Sequence, residues 1–153
     1  MKTFELGGLN ITISQSVFEA LHRYKQIKPQ QHEAGGILLG QIKGNHVYIL
    51  RVSVPTKFDK SSRTSFVRSK EIAQIIIDYE FVNSGNRTIY LGEWHTHPEK
   101  FPSPSGTDKS MIHDQFKLNK LNEPFILLLI QGINGFYLAK YDGSKLISIE
   151  CYE

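Results

Sequence analysis

Apolar residues recur along this chain with two different periods, and the two periods divide it into elements. Phe4–Leu6 and Leu9–Ile13 are short β-rich runs separated by Gly7-Gly8, which predicts two strands joined by a turn. Val17, Ala20, Leu21 and Tyr24 then repeat at helical spacing behind Ser14 and Ser16, either of which can cap a helix that Pro29 is expected to end. Ile37–Leu39 and Val47–Val54 flank Gly44-Asn45, the signature of a hairpin. Ser69 stands before Ile72, Ile75, Ile76 and Tyr79, a stripe that predicts a second helix with those four residues in the core. Asn83–Asn86 reads as a turn, and Thr88–His97 alternates like a strand. Pro98, Pro102 and Pro104 hold the next loop extended, and a third helix is expected from Ser105 to about Leu118. Phe125–Ile130 is apolar throughout, as in a strand buried on both faces. Turns at Gly132–Gly135 and Asp142-Gly143 set off two last strands, Phe136–Tyr141 and Leu146–Cys151. Helices scattered among hairpins predict an α/β domain with a single curved mixed β-sheet flanked by helices.

Composition narrows the class. The length of 153 residues suits one domain, 1–153, with a real core. An apolar share of 40% and a charged share of 22% are those of an ordinary soluble protein, and a formal charge of +3 demands no acidic partner. No basic stripe interleaved with aromatics points to nucleic acid. Cys151 is the only cysteine, which rules out an internal disulfide and favours a reducing, cytoplasmic setting. Met1–Glu5 lacks the apolar run of a signal peptide, and Phe125–Ile130 is too short to span a bilayer, so no membrane partner is expected. Residues 57–70 carry Lys57, Lys60, Arg63, Arg68 and Lys70 against Asp59; they read as a solvated loop or as a loop that touches substrate.

The candidate chemistry lies in the run from His95 to Asp108. Side chains alternate faces along a strand, so His95 and His97 point the same way, while Trp94 and Thr96 face the opposite side. Asp108 can return to the two imidazoles through the proline-stiffened loop. Two imidazoles and one carboxylate suit Zn²⁺, and three protein ligands leave a fourth position open for water, the arrangement of a catalytic zinc site. Ser105 and Asp108 also have the spacing of a capping box, in which hydroxyl and carboxylate satisfy helix N-terminal amides. A zinc hydrolase needs a general base near the water. Glu33, just before the glycine-rich Ala34–Gly40 segment, is the candidate; its other reading is a surface glutamate at a strand start. Glu93 shares a face with His95 and His97, either as a group behind the site or facing substrate, or as a surface residue.

Taken in order, these residues resemble the JAMM metalloproteases, also called JAB or MPN-plus domains. The family pattern is an upstream glutamate before a glycine-rich strand, then His-Ser/Thr-His-Pro, then Ser-x-x-Asp. Here Glu33 precedes Gly36–Gly40, His95-Thr96-His97-Pro98 follows, and Pro98–Pro104 fill the seven positions before Ser105-Gly106-Thr107-Asp108. The resemblance implies a cytidine-deaminase-like fold. It implies that His95, His97 and Asp108 bind Zn²⁺, that Glu33 is the general base, and that Ser105 hydrogen-bonds the oxyanion. It implies cleavage of isopeptide or peptide bonds after the C-terminal glycine of ubiquitin-like proteins. Many members carry Gly-Trp-aromatic before the first histidine, where this chain has Gly92-Glu93-Trp94. The stretch Leu91–Glu99 resembles more closely a bacterial subgroup, small JAB peptidases of anti-phage CBASS operons. Those peptidases remove a cGAS-like nucleotidyltransferase whose C-terminal tail has been joined to target proteins. Two further readings carry the same resemblance: trimming of a sulfur-carrier protein, and a metal-free scaffold of this fold.

Overall fold

The computed structural model describes residues 2–119, 121 and 123–153. The paired apolar runs become β1 (Lys2–Leu6), β2 (Leu9–Ile13), β3 (Gly35–Lys43) and β4 (His46–Val52). After them come the short β5 (Lys60–Ser61) and β6 (Phe66–Val67), then β7 (Ile89–Thr96), β8 (Ile126–Gln131), β9 (Gly135–Tyr141) and β10 (Leu146–Tyr152). Three helices are interspersed: α1 (Gln15–Arg23), α2 (Lys70–Asn83) and α3 (Gly106–Leu118). Eight strands form one mixed sheet in the order β1-β2-β4-β3-β7-β8-β9-β10, while β5 and β6 pair as a separate hairpin. The β2–β4 and β7–β8 pairs are parallel and the others antiparallel. Opposite Leu38–Gly40 of β3, Leu50 of β4 and Leu91 of β7 are extra residues in the pairing, and such bulges add twist. The sheet curls until its edges approach: Lys140 Nζ on β9 donates to Gly7 O at the β1–β2 turn, 3.1 Å away.

Curling gives the sheet an inner and an outer face. Inside, α1 packs Val17, Phe18 and Leu21 against Ile11, Ile49, Trp94, Leu127, Leu129 and Leu138. The indole of Trp94 lies in this core and donates Nε1–H to Ser53 O at 2.9 Å. Outside, α3 seals β8 and β9 with Ile112 against Ile126, Leu128 and Ile130. The α2 helix covers Ile37 and Leu39 of β3 through Ala73, Ile76 and Ile77. β8 is buried at every residue, as its unbroken apolar run predicts.

Two expectations need correction. The α2 stripe is not uniformly core: Ile75 and Tyr79 are 63% and 64% exposed, and Ala73 is the one buried residue of the helix. The helix lies on the sheet along the edge that carries Ala73, Ile76 and Ile77, which turns Ile75 and Tyr79 outward. Nor does α1 run on to Pro29. It stops at Arg23, because Gln26 turns inward, where its amide donates to Arg63 O at 3.1 Å and its carbonyl accepts from Thr96 Oγ1 at 2.7 Å. A helix continued through Gln26 would forfeit both bonds.

The two outer surfaces should respond differently to truncation. Ile112→Ala, which removes a residue 1% exposed, is expected to cost about 2–5 kcal/mol in urea unfolding. Ile75→Ala should stay within about 0.5 kcal/mol of the parent. Equal losses at both positions would contradict the packing assigned to α2.

Candidate metal centre

Three chain segments meet on the outer face of the sheet, and hydrogen bonds fix each one. β7 presents His95 at its C-terminal end, and His97 follows one residue beyond the strand, its N–H donating to Gln131 O of β8 at 3.0 Å. β3 pairs with β7 so that Gly35 lies opposite His95. Just ahead of it, Ala34 N donates to Thr96 Oγ1 and Thr96 N donates to Ala34 O, both at 2.9 Å. Glu33 is thereby brought beside the histidines, and its own N–H donates to Ser62 O of the β5–β6 hairpin at 2.7 Å. The third segment is the start of α3, where Ser105 is the N-cap.

The capping box and the cluster use the same atoms. Asp108 N donates to Ser105 Oγ at 3.0 Å, and Ser105 N donates to Asp108 Oδ2 at 2.8 Å. That carboxylate also meets both imidazoles, with Oδ1 2.9 Å from His95 Nε2 and Oδ2 3.0 Å from His97 Nε2. Ser105 Oγ spends its acceptor capacity on the helix, so its own proton remains free to point outward from an exposed position.

Glu33, His95, His97 and Asp108 each turn one ligand atom into a space where all four lie within 4.8 Å of one another, and all four residues are buried. His95 Nε2 carries no hydrogen bond although it is fully buried, since the nearby Asp108 oxygen lies off the hydrogen-bond direction. A buried nitrogen aimed into a ring of carboxylate and imidazole atoms is what a borderline cation needs, so these side chains fit a divalent transition metal.

Their titration follows from the crowding. Burial raises the Glu33 carboxyl above its usual range, and the two histidines only partly offset this. Burial alone would raise Asp108 too, but the two imidazoles close against its oxygens and the N–H of Ser105 hold it far below the usual carboxylate range. For His97, burial favours the neutral ring, yet Asp108 and Glu99 outweigh it and lift the imidazole above its ordinary value.

Glu93 is not a surface residue, and it lines the cleft that reaches His95. It is 4% exposed, behind His95, and Arg68 grips it with Nε to Oε1 at 2.7 Å and Nη2 to Oε2 at 3.2 Å. Tyr90 adds its hydroxyl to Oε2, and Arg68 Nη2 also donates to Gln115 Oε1 of α3 at 3.0 Å. The basic segment is therefore divided. Lys57, Lys60, Arg63 and Lys70 are exposed, whereas Arg68 turns inward and ties the β5–β6 hairpin to β7 and α3. Sequence reasoning did not find this brace; the one available signal was a glutamate on the histidine face with no stated partner. Gly35 leaves room for the hairpin, because a Cβ there would come within 2.6 Å of the Phe66 ring. Between hairpin and α3 runs a narrow cleft of about 90 Å³ that passes Gly36, Phe66, Val67 and Met111 and reaches His95.

Comparison with known proteins finds one family over most of the chain. The family model described as prokaryotic homologs of the JAB domain matches residues 14–139. A protein of Pseudomonas aeruginosa named CD-NTase/cGAS isopeptidase is 35% identical over 131 residues, 86% of this chain and 82% of that one. A protein of Vibrio cholerae with the same name is 33% identical, covering 91% of this chain and 86% of its own. A probable metalloprotease of Sinorhizobium fredii is 27% identical over 80% of this chain and 76% of its own. In fold, the chain is similar to a solution structure from Desulfitobacterium hafniense, with a TM-score of 0.59 and 24% identity over 92% of this chain and 88% of that one.

Two outcomes are expected of the metal-free protein. Removing Arg68 as Arg68→Ala leaves Glu93 buried without its cation, a loss of about 3–5 kcal/mol in urea unfolding; a loss below about 1 kcal/mol would mean the brace bears nothing. Stability should also fall as pH moves in either direction from the range in which both groups contribute. Asp108 has a lowered folded-state pKa, so its contribution is present above the unfolded carboxylate value and is lost as pH falls. His97 has a raised one, so its contribution is present below the unfolded value of about 6.5 and is lost as pH rises through the folded value. Both dependences should shrink in Asp108→Asn; an unchanged stability profile would overturn the pairing.

Proposed function

The chain belongs to the family of prokaryotic JAB-domain homologs, hydrolases of the JAB type, and on that premise we propose that it is a zinc-dependent isopeptidase acting on protein conjugates of a CD-NTase. The observation that carries the reading is the convergence of Glu33, His95, His97 and Asp108 within 4.8 Å, beside a serine hydroxyl whose proton is free. Residues 1–153 act as one catalytic domain, since the strands on either side of the cluster share one sheet and the family match spans most of the chain.

In this reading His95, His97 and Asp108 hold the metal. When bound, zinc supplies Lewis acidity, polarising the scissile carbonyl and making water a nucleophile near neutral pH. Glu33 takes the proton from the attacking water as the new C–O bond forms. It then delivers that proton to the amine nitrogen as the C–N bond breaks. The burial that raises its pKa suits both halves of the task, because a base works best with a pKa near the working pH. Ser105 Oγ–H donates to the carbonyl oxygen as negative charge develops there, and its fixed place at the helix cap means no reorganisation is needed. Asp108 keeps its charge because the same cap holds its carboxylate.

The substrate class rests on two supports. Relatives at 33–35% identity over most of the chain are named CD-NTase/cGAS isopeptidase, which supports a CD-NTase conjugate as the substrate and, with it, a part in bacterial anti-phage defence. The narrow cleft past Gly36 suits a tail that ends in small residues and lies extended, without bulky side chains near the cut. Cys151 as the sole thiol fits a cytoplasmic setting. Among the described residues no helix is long and apolar enough to cross a membrane.

The test is release of the target protein from a conjugate bearing a CD-NTase C-terminal tail, followed by gel and mass spectrometry. Cleavage should stop with a chelator and return with zinc. Glu33→Gln should still bind metal yet lose about 10²–10⁴-fold in turnover, the scale of a general base. Full activity in the chelated protein, or in Glu33→Gln, would refute the mechanism.

A further inference from the structure

His97 is contacted by a carboxylate on each side of its ring. Nε2 faces Asp108 inside the cluster, and on the outer side Nδ1 lies 2.8 Å from Glu99 Oε1. An ionised carboxylate can only accept a hydrogen bond, so the ring must carry its proton on Nδ1 at this contact. The other nitrogen, Nε2, is the one aimed at the cluster, where a bound cation would replace any proton shared with Asp108. A ring without such a partner divides its proton between the two nitrogens and loses part of its ligand population. From this geometry we infer that Glu99 is a positioning residue. It fixes the tautomer and orientation of His97 and thereby sets how tightly the centre holds a divalent transition metal. The inference rests on the metal-centre reading above.

Glu99 is held in place for this purpose by its backbone rather than by packing. Its side chain is about half exposed at 49%, so the carboxylate stays solvated. Its carbonyl accepts from Ile133 N, and the next carbonyl, of Lys100, accepts from Asn134 N, both at 2.8 Å. The β8–β9 turn therefore clamps the loop that leaves His97. Only glycine permits the fit, because a Cβ at Gly132 would come within 2.8 Å of Glu99 O and 2.4 Å of the Pro102 ring. Pro98 stiffens the single residue between His97 and Glu99. Glu99 is not itself part of the converging group: it meets the ring from the side opposite the metal-facing nitrogen. A carboxylate donating order to a ligating imidazole raises its basicity and is commonly worth a factor of about 10–100 in metal affinity.

The test is competition for Zn²⁺ between the full chain and a chromophoric chelator, for the parent, Glu99→Ala and Glu99→Gln. Nitrogen-detected NMR of the His97 ring in the metal-free protein is the second readout. We expect one equivalent bound by the parent, a loss of about 10–100-fold in affinity for Glu99→Ala, and partial rescue in Glu99→Gln, whose amide oxygen can still accept from Nδ1. Nδ1 should carry a proton in the parent and only partly so in Glu99→Ala, with unchanged urea unfolding of the metal-free protein. Parent-like zinc affinity in Glu99→Ala would overturn the role of Glu99 alone. A parent that takes up no zinc would overturn the metal centre and this inference with it. Equal loss in the two variants, together with lowered stability, would mean Glu99 merely supports the loop.

Discussion

The carboxylate of Asp108 is held from two directions, and the rest of the site depends on that double grip. From one side the capping box binds it to Ser105, which fixes it at the N-terminus of α3. From the other side the two imidazoles of β7 and its extension face its two oxygens. A helix end and a strand end are thus joined through one side chain. The helix is in turn seated by Ile112 on β8 and β9, so the position of the carboxylate is referred back to the sheet. The structural and chemical roles of Ser105-x-x-Asp108 do not compete: the cap uses the acceptor lone pair of the serine and leaves its proton free.

The surroundings turn this junction into a rigid one. Arg68 ties hairpin, β7 and α3 together through Glu93 and Gln115, directly behind His95. Such a buried pair adds little net stability compared with apolar residues of the same size. Its value lies in geometry, since a bidentate guanidinium fixes three elements at once. The mutual pairing of Ala34 and Thr96 does the same for Glu33, which would otherwise be a free side chain ahead of a strand. All four side chains of the cluster are held by backbone that is hydrogen-bonded to a neighbouring segment or to the helix cap.

Much of this was legible in the sequence, for reasons that can be named. Alternation put His95 and His97 on one face and Trp94 on the other, and the structure agrees because β7 is regular from Gly92 to Thr96, past the bulge at Leu91. The capping-box spacing marked the start of α3 correctly. Placing Glu33 beside the histidines needed the β3–β7 register, Gly35 opposite His95, and no local pattern encodes a register between strands some sixty residues apart. The partner of Glu93 was likewise hidden, because Arg68 sits in a segment whose composition is that of a solvated loop. The outward turn of Ile75 and Tyr79 shows the limit of periodicity: it finds an apolar stripe, but not which part of it the sheet covers. Pro29 misled as a helix terminator because Gln26, a polar residue with two buried partners, had already drawn the chain away.

The central claim is that three side chains from two elements converge on one cation. Anomalous diffraction from crystals of the zinc-loaded protein, recorded above and below the zinc absorption edge, tests it most directly. The account expects a single strong peak bonded to His95 Nε2, His97 Nε2 and a carboxylate oxygen of Asp108, with Glu33 near but outside bonding distance. A peak elsewhere on the chain, or no peak with Asp108 bound only to its helix cap, would contradict it.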